Sequence, residues 1–274
     1  MENGIVKEFL ASRFVMPDQS KTHAHFQALA ANMSSNPNQS RDSKVKSTTT
    51  IFALKSSDFA IIAADRQTSY GYYGVFSRTS TKITRLTWLS MMAMCGMCST
   101  GDSIEEDIKT MCGTFEALYG QTLSVSGQAK YIKRLLQNWW WIILFFYELA
   151  AVPILAAFDQ ELGQPRIFFF EDDSFLDESK MLVGNGCGFR DVRALIKSYW
   201  RPDMTREAAV HLAVRALIHS GDESHGVSDS RFFIPTIFVI NKDGHHPVDE
   251  KEIKAYVDLV RAETPALQEG LYHV

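Results

Sequence analysis

From Ser47 to Asp65 the chain reads S-T-T-T-I-F-A-L-K-S-S-D-F-A-I-I-A-A-D. Thr49–Lys55 and Phe59–Ala64 are β-type runs, and Ser56-Ser57-Asp58 between them is a hairpin signal. Three threonines stand at the head of the first strand, and an acidic residue closes the second. Pairing of the two strands sets Asp65 across the hairpin from the threonines. Any fold for this chain has to accommodate that juxtaposition.

A hydroxyl on the first residue of a chain has a built-in base. The free α-amino group has a pKa of about 7.7–8.0, so near neutrality much of it can accept a proton. An N-terminal Thr is therefore activated without a distant histidine. It needs a nearby positive charge to stabilise the alkoxide-like oxygen, and a lysine held by an acid supplies one. Asp65 lies at the right end of the hairpin, and Lys82 opens the next strand. Gly96, in C-G-M-C, is a bend where a backbone N–H can approach a carbonyl oxygen, as an oxyanion hole requires.

The flanks of the hairpin differ in character. The stretch 34–47, S-S-N-P-N-Q-S-R-D-S-K-V-K-S, has almost nothing apolar and reads as a flexible segment. Residues 1–48 are accordingly expected to be a tail or a propeptide, and 49–274 the folded domain. Downstream, strands are expected over Thr81–Leu86 and Leu89–Cys98, with a loop at Ser69–Ser80 before them. Ser103, with Glu106 three residues on, reads as the capping box of a helix reaching about Leu118. A second helix starts at Ser124 and ends near Glu148. Strands follow at Val152–Phe158, Arg166–Glu171 and Lys180–Gly184. Helices are expected at Gly188–Tyr199 and Arg206–His219, then a strand at Phe232–Asn241 and a last helix at Val248–Glu263. Blocks of strands alternating with helix pairs suit two sheets covered by helix layers better than a wound βαβ sheet.

Composition narrows the class. The chain has 274 residues, 46% hydrophobic and 22% charged, as a soluble globular protein does. A net charge of −4 argues against nucleic acid or an anionic membrane as partner. Four cysteines are too few for a disulfide scaffold and suit a reducing compartment. The N-terminus lacks the pattern of a secretory signal. Trp139 to Phe158 has the length of a membrane span, but Glu148 sits in its middle and Pro153 follows. It reads instead as a core helix, a turn and a buried strand. The cluster Trp139–Trp141 with Phe145 and Phe146 suits a core or a subunit interface.

T-T-I-F-A-L-K followed by A-I-I-A-A-D-R resembles the mature start of bacterial-type 20S proteasome β subunits, which are N-terminal-nucleophile hydrolases. The resemblance extends through Lys82, the pattern around Gly96, A-A-V-P-I-L-A-A-F-D at 150–159, G-N-G-C-G-F at 184–189 and G-D-E-S-H-G at 221–226. It implies an α+β fold, a four-layer αββα sandwich of two antiparallel sheets flanked by helices. It implies Thr49 as nucleophile, Asp65 and Lys82 as its charge partners, Gly96 as oxyanion donor and Asp222 as support for the Thr49 amine. Thr68 and Ser69 would pair with an extended substrate backbone. Met94 and Cys98 would face an apolar side-chain pocket beside the scissile bond. The resemblance further implies a cytoplasmic threonine endopeptidase with no cofactor, made as a zymogen cut between Thr48 and Thr49. Its partners would be other β subunits in a heptameric ring, α-type rings, an ATPase regulator and polypeptide substrates. The sixteen-residue interval from Thr49 to Asp65 matches the family; Thr48 stays the alternative if the Ser56–Asp58 turn differs by one residue.

Three positions depart from the family pattern. Thr48 stands where a Gly usually precedes the nucleophile, and a β-branched residue restricts the backbone there. Asn185 replaces a Ser whose hydroxyl relays protons; an amide is a poor shuttle. His225 replaces a Ser after the supporting acid, where it could hydrogen-bond or titrate. These changes keep open a silent β-type ring subunit with a structural role. A third possibility is an amidohydrolase of the same fold acting on a small amide. Plainer readings also stand beside the functional ones. Asp65–Lys82 could be a surface pair, Cys95-x-x-Cys98 small buried thiols, His225 a turn residue, and His245-His246 a solvated turn without a role.

Overall fold

The computed structural model describes residues 49–69, 75–96, 98–145, 151–170, 176–223 and 234–263. All belong to one compact unit, Val45–Val274. Its first half contains strands β1 (Thr50–Lys55), β2 (Ala60–Ala64), β3 (Thr68–Ser69), β4 (Val75–Ser77), β5 (Ile83–Thr87) and β6 (Ser90–Gly96). Helices α1 (Cys98–Tyr119) and α2 (Val125–Phe145) follow. Strands β7 (Ala151–Asp159), β8 (Gln164–Phe170), β9 (Leu176–Ser179) and β10 (Leu182–Gly186) come next. Helices α3 (Phe189–Tyr199) and α4 (Arg206–Glu223), strands β11 (Thr236–Asn241) and β12 (Gly244–Pro247), and helix α5 (Glu250–Glu263) complete it.

The strands form two antiparallel five-stranded sheets, ordered β10-β1-β2-β11-β12 and β5-β6-β7-β8-β9, with β3 and β4 as a short separate ribbon. Successive side chains of a strand point to opposite faces, so a strand buried on both faces is apolar throughout. β1 shows this directly. Ile51 and Ala53 pack between the sheets with Ile62, Ala93 and Ile154. Phe52 and Leu54 face the other way, onto Val192, Ala213 and Val257 of α3, α4 and α5. On the second sheet, Met92 and Leu155 pack against Ile104, Ile108 and Ile132 of α1 and α2. Three apolar layers therefore separate helices, sheet, sheet and helices, the αββα sandwich that the resemblance implies and the element order suits.

Helix starts follow the capping chemistry in two cases. Ser124 Oγ accepts from Gly127 N at 3.1 Å, and Thr205 Oγ1 from Ala208 N at 3.3 Å. α1 departs from expectation: it begins at Cys98, so Ser103 lies within it rather than capping it. Gly96 has φ +115°, which ends β6 before Cys98. Gly101, a breaker by composition, is buried inside α1 against Met94, whose Cγ would lie 3.0 Å from any Cβ there.

Other boundaries also moved. The expected loop at 69–80 contains β4, and the expected strand Lys180–Gly184 is the turn and first part of β10, with β9 before it. His245-His246, read as a solvated turn, belongs to β12 and pairs with β11. His245 Nδ1 lies 2.8 Å from the Trp88 carbonyl oxygen, and the two rings meet edge to face. The apolar stretch from Trp139 divides as expected between a helix and a strand, though 146–150 and the side chains of the aromatic cluster lie outside the described residues. No described helix is long and apolar enough to cross a membrane. Pro153 sits within β7, opposite Met94, where pairing with β8 has not yet begun and its missing N–H breaks no ladder bond on that side.

Candidate active site

The β1–β2 hairpin builds the first half of the site. Its register pairs Ile51 with Ala64, so Asp65 follows directly opposite Thr50 and donates its N–H to the Thr50 carbonyl at 3.1 Å. Asp65 can then reach back by one residue. Its Oδ1 accepts from Thr49 Oγ1 at 3.1 Å and from the Thr50 N–H at 2.8 Å. Its Oδ2 accepts from the Gln67 N–H at 3.0 Å. Thr49 and Asp65 are both buried, at 4% and 2% exposure.

The second sheet supplies the charge. Lys82 lies one residue before β5, and its Nζ is 2.6 Å from Asp65 Oδ1 and 2.6 Å from the Gln67 carbonyl oxygen. The Thr49 hydroxyl and the Lys82 ammonium thus share one acceptor oxygen. Burial pushes the Lys82 pKa below its ordinary 10.5; the charge and hydrogen bond of Asp65 oppose that shift, as do Cys95 and Cys187 nearby. The plain surface-pair reading of Asp65 and Lys82 fails, since both side chains are at least nine-tenths buried. A buried pair so connected holds its members in one geometry, because breaking it would strand a charge.

The end of β10 forms a third wall. Thr50 pairs with Gly186, which has φ +104°. A Cβ on Gly186 would sit 2.1 Å from the Thr49 carbonyl oxygen, so only glycine allows the two backbones to approach this closely. Beside it, the Cys187 thiol donates to the Thr49 carbonyl oxygen at 3.4 Å. Gly186 and Cys187 belong to the G-N-G-C-G-F match at 184–189, but nothing in the sequence gave either a role at the site. Gln67 was likewise missed, because its part is played by backbone groups that carry no residue signature.

The remaining expected residues spread over several elements. Asn185 lies on β10, and its Oδ1 accepts from the adjacent Gly186 N–H at 2.6 Å. Asp222, at the end of α4, is held by Arg261 of α5 through two hydrogen bonds of 2.6 and 2.8 Å. Thr68, on β3, donates its hydroxyl to Ser80 Oγ at 2.7 Å; Ser69 follows it in the same strand. Met94 is on β6, on the side packed against α1 and α2, and Gly96 ends that strand. Cys98 is exposed at the first position of α1, so of the C-x-x-C pair only Cys95 is a buried strand thiol. Thr48 and His225 lie outside the described residues.

A hydroxyl-bearing residue thus heads an inner strand of the αββα sandwich beside a buried acid–lysine pair, and sequence comparison places the chain. The family model for the proteasome subunit matches residues 45–231. The chain is similar to a proteasome subunit beta of Acidimicrobium ferrooxidans, 28% identical over 211 residues that cover 75% of this chain and 76% of the relative. It is also similar to a proteasome subunit beta 2 of Thermomonospora curvata, at 26% over 53% of this chain and 52% of the relative. A proteasome subunit beta of Streptosporangium roseum matches at 25%, over 63% and 61%.

The chain belongs to the proteasome subunit family, a family of peptidases. Within it, these relatives place it among the bacterial-type β subunits, as a component of a proteasome barrel.

Proposed function

We infer that this chain is a threonine-type endopeptidase subunit, made as a proenzyme and matured by a cut between Thr48 and Thr49. Residues 1–48 are then the propeptide and 49–274 the working domain. The observation that carries this reading is the hydrogen bond from Thr49 Oγ1 to a buried aspartate that also binds Lys82. Once Thr49 is the first residue, its α-amine accepts the hydroxyl proton while Oγ1 bonds to the substrate carbonyl carbon. Lys82 offsets the growing negative charge, and the backbone N–H of Gly96 receives the carbonyl oxygen. The protonated amine returns its proton to the leaving nitrogen as the peptide bond breaks, leaving an acyl ester on Thr49. Water, deprotonated by the same amine, then releases the acid. Each step uses groups of the protein, the substrate and water.

Around this centre, the backbone at Thr68 and Ser69 would receive the substrate as an added strand, with Met94 and Cys98 beside its side chain. The working particle would hold seven β subunits per ring, α-type rings and an ATPase regulator, and would act in the cytoplasm on unfolded polypeptides.

A second reading, a silent ring subunit, draws on two contacts. Asn185 is turned onto its neighbour's N–H, and Asp222 is occupied by Arg261, so two groups expected to assist the amine are engaged elsewhere. Intact mass of the chain from assembled particles separates the readings. A mass matching 49–274, with fluorogenic peptide hydrolysis that disappears in Thr49→Ala, is the expected result. An uncut chain and no hydrolysis would establish the silent subunit.

A further inference from the structure

Thr49 is held at three points, and one of them has no precedent in the residues expected from sequence. Its hydroxyl and the following N–H both bond to Asp65 Oδ1, which fixes one side of the residue. Its carbonyl is fixed on the other side by β10, where Gly186 makes room and the Cys187 thiol donates at 3.4 Å. Cys187 is exposed, yet it also lies near enough to Lys82 to act on that ammonium's titration. A thiol at this position therefore bonds the backbone of the nucleophile itself.

Resting on the threonine-hydrolase reading, we propose that Cys187 is a positioning residue for the nucleophile, acting through the Thr49 carbonyl. The base in this chemistry is the α-amine of Thr49, which shares its Cα with the hydroxyl-bearing side chain. Pinning the carbonyl limits rotation about the Cα–C bond, which would otherwise carry the amine and Oγ1 together away from Asp65 and Lys82. A thiol is a weak donor, and the bond is made to the enzyme's own backbone rather than to substrate. Its loss therefore slows the chemical steps and leaves substrate binding alone.

The test uses assembled particles and three variants, Cys187→Ala, Cys187→Ser and Cys98→Ser. Cys187→Ala is expected to lower kcat about fivefold at unchanged KM. Cys187→Ser, which keeps a donor, is expected to return kcat to within about twofold of wild type. Cys98→Ser serves only to assign the S–H band of the other exposed thiol. Thermal unfolding of each variant excludes a general loss of structure. A readout independent of activity is the S–H stretching band in infrared difference spectra. The Cys187 band is expected at lower frequency than that of Cys98, as hydrogen bonding weakens the S–H bond. Full kcat in Cys187→Ala, or an unshifted Cys187 band, overturns the proposal. An inactive wild type with a shifted band instead removes the hydrolase reading and leaves the contact in place.

Discussion

Replacing Gly186 with alanine tests how closely the site depends on backbone approach. The residue has φ +104°, a conformation that side-chain-bearing residues adopt only with strain of about 1–3 kcal/mol. The new Cβ would stand 2.1 Å from the Thr49 carbonyl oxygen and 2.8 Å from its carbon. Real Cβ contacts essentially never fall below 3.0 Å, so Thr49 or β10 must retreat by about 1 Å, a misplacement that costs about a hundredfold in rate at a catalytic centre. The obstructing atoms are backbone, so no side-chain rotation relieves the clash. Gly163→Ala is the control: it has φ +64° but open space around it, so it carries strain without touching Thr49. Peptide hydrolysis and precursor cutting are measured on both variants, alongside urea unfolding. Gly186→Ala is expected to lose about two orders of magnitude in kcat, and more stability than the control. Equal hydrolysis by the two variants would refute the reasoning, because the close approach would then place no constraint on the nucleophile.

Other predictions follow from the charge cluster. Asp65→Asn leaves the Lys82 ammonium buried without its counter-ion, and should lower stability by about 3–5 kcal/mol. For a domain of this size that is a fall in Tm of roughly 6–20 °C. Adding Lys82→Met should recover much of it, and a double mutant no more stable than Asp65→Asn alone would show that the two groups are not coupled. Lys82 also predicts a pH dependence. Its folded pKa lies below 10.5, so between these values the unfolded chain binds more protons than the folded one. Its contribution to stability must therefore rise with pH in that window. Urea midpoints of wild type relative to Lys82→Met should climb as pH approaches 10.5; a flat difference would contradict the lowered pKa.

The elements whose causes are local were legible in the sequence. A short turn and two β-type runs determine the hairpin, and antiparallel register then puts Asp65 opposite Thr50 whatever the rest of the chain does. The helix starting at Ser124 was legible because a cap bonds within its own first turn. The alternation of strand blocks with helix pairs pointed to two sheets covered by helix layers, since each element must bury its apolar faces against something.

What needed the tertiary structure was everything that meets across sheets and layers. Lys82 stands just before the first strand of the other sheet; the resemblance named it beside Asp65, but no periodicity predicts the 2.6 Å contact between them. Gly186 and Cys187 come to Thr49 only because β10 pairs with β1. Asp222 is drawn to Arg261 by the packing of α4 on α5, which residue identity alone could not foresee. Cys98 passed from strand to helix because Gly96 ends one element and Gly101 finds room against Met94 inside the next. The sequence alone determined the hairpin, with Thr49 and Asp65 at its open end. Packing of the two sheets decided how Lys82 meets Asp65, and pairing with β10 decided how the Thr49 carbonyl would be gripped, because both depend on contacts between residues far apart in the chain.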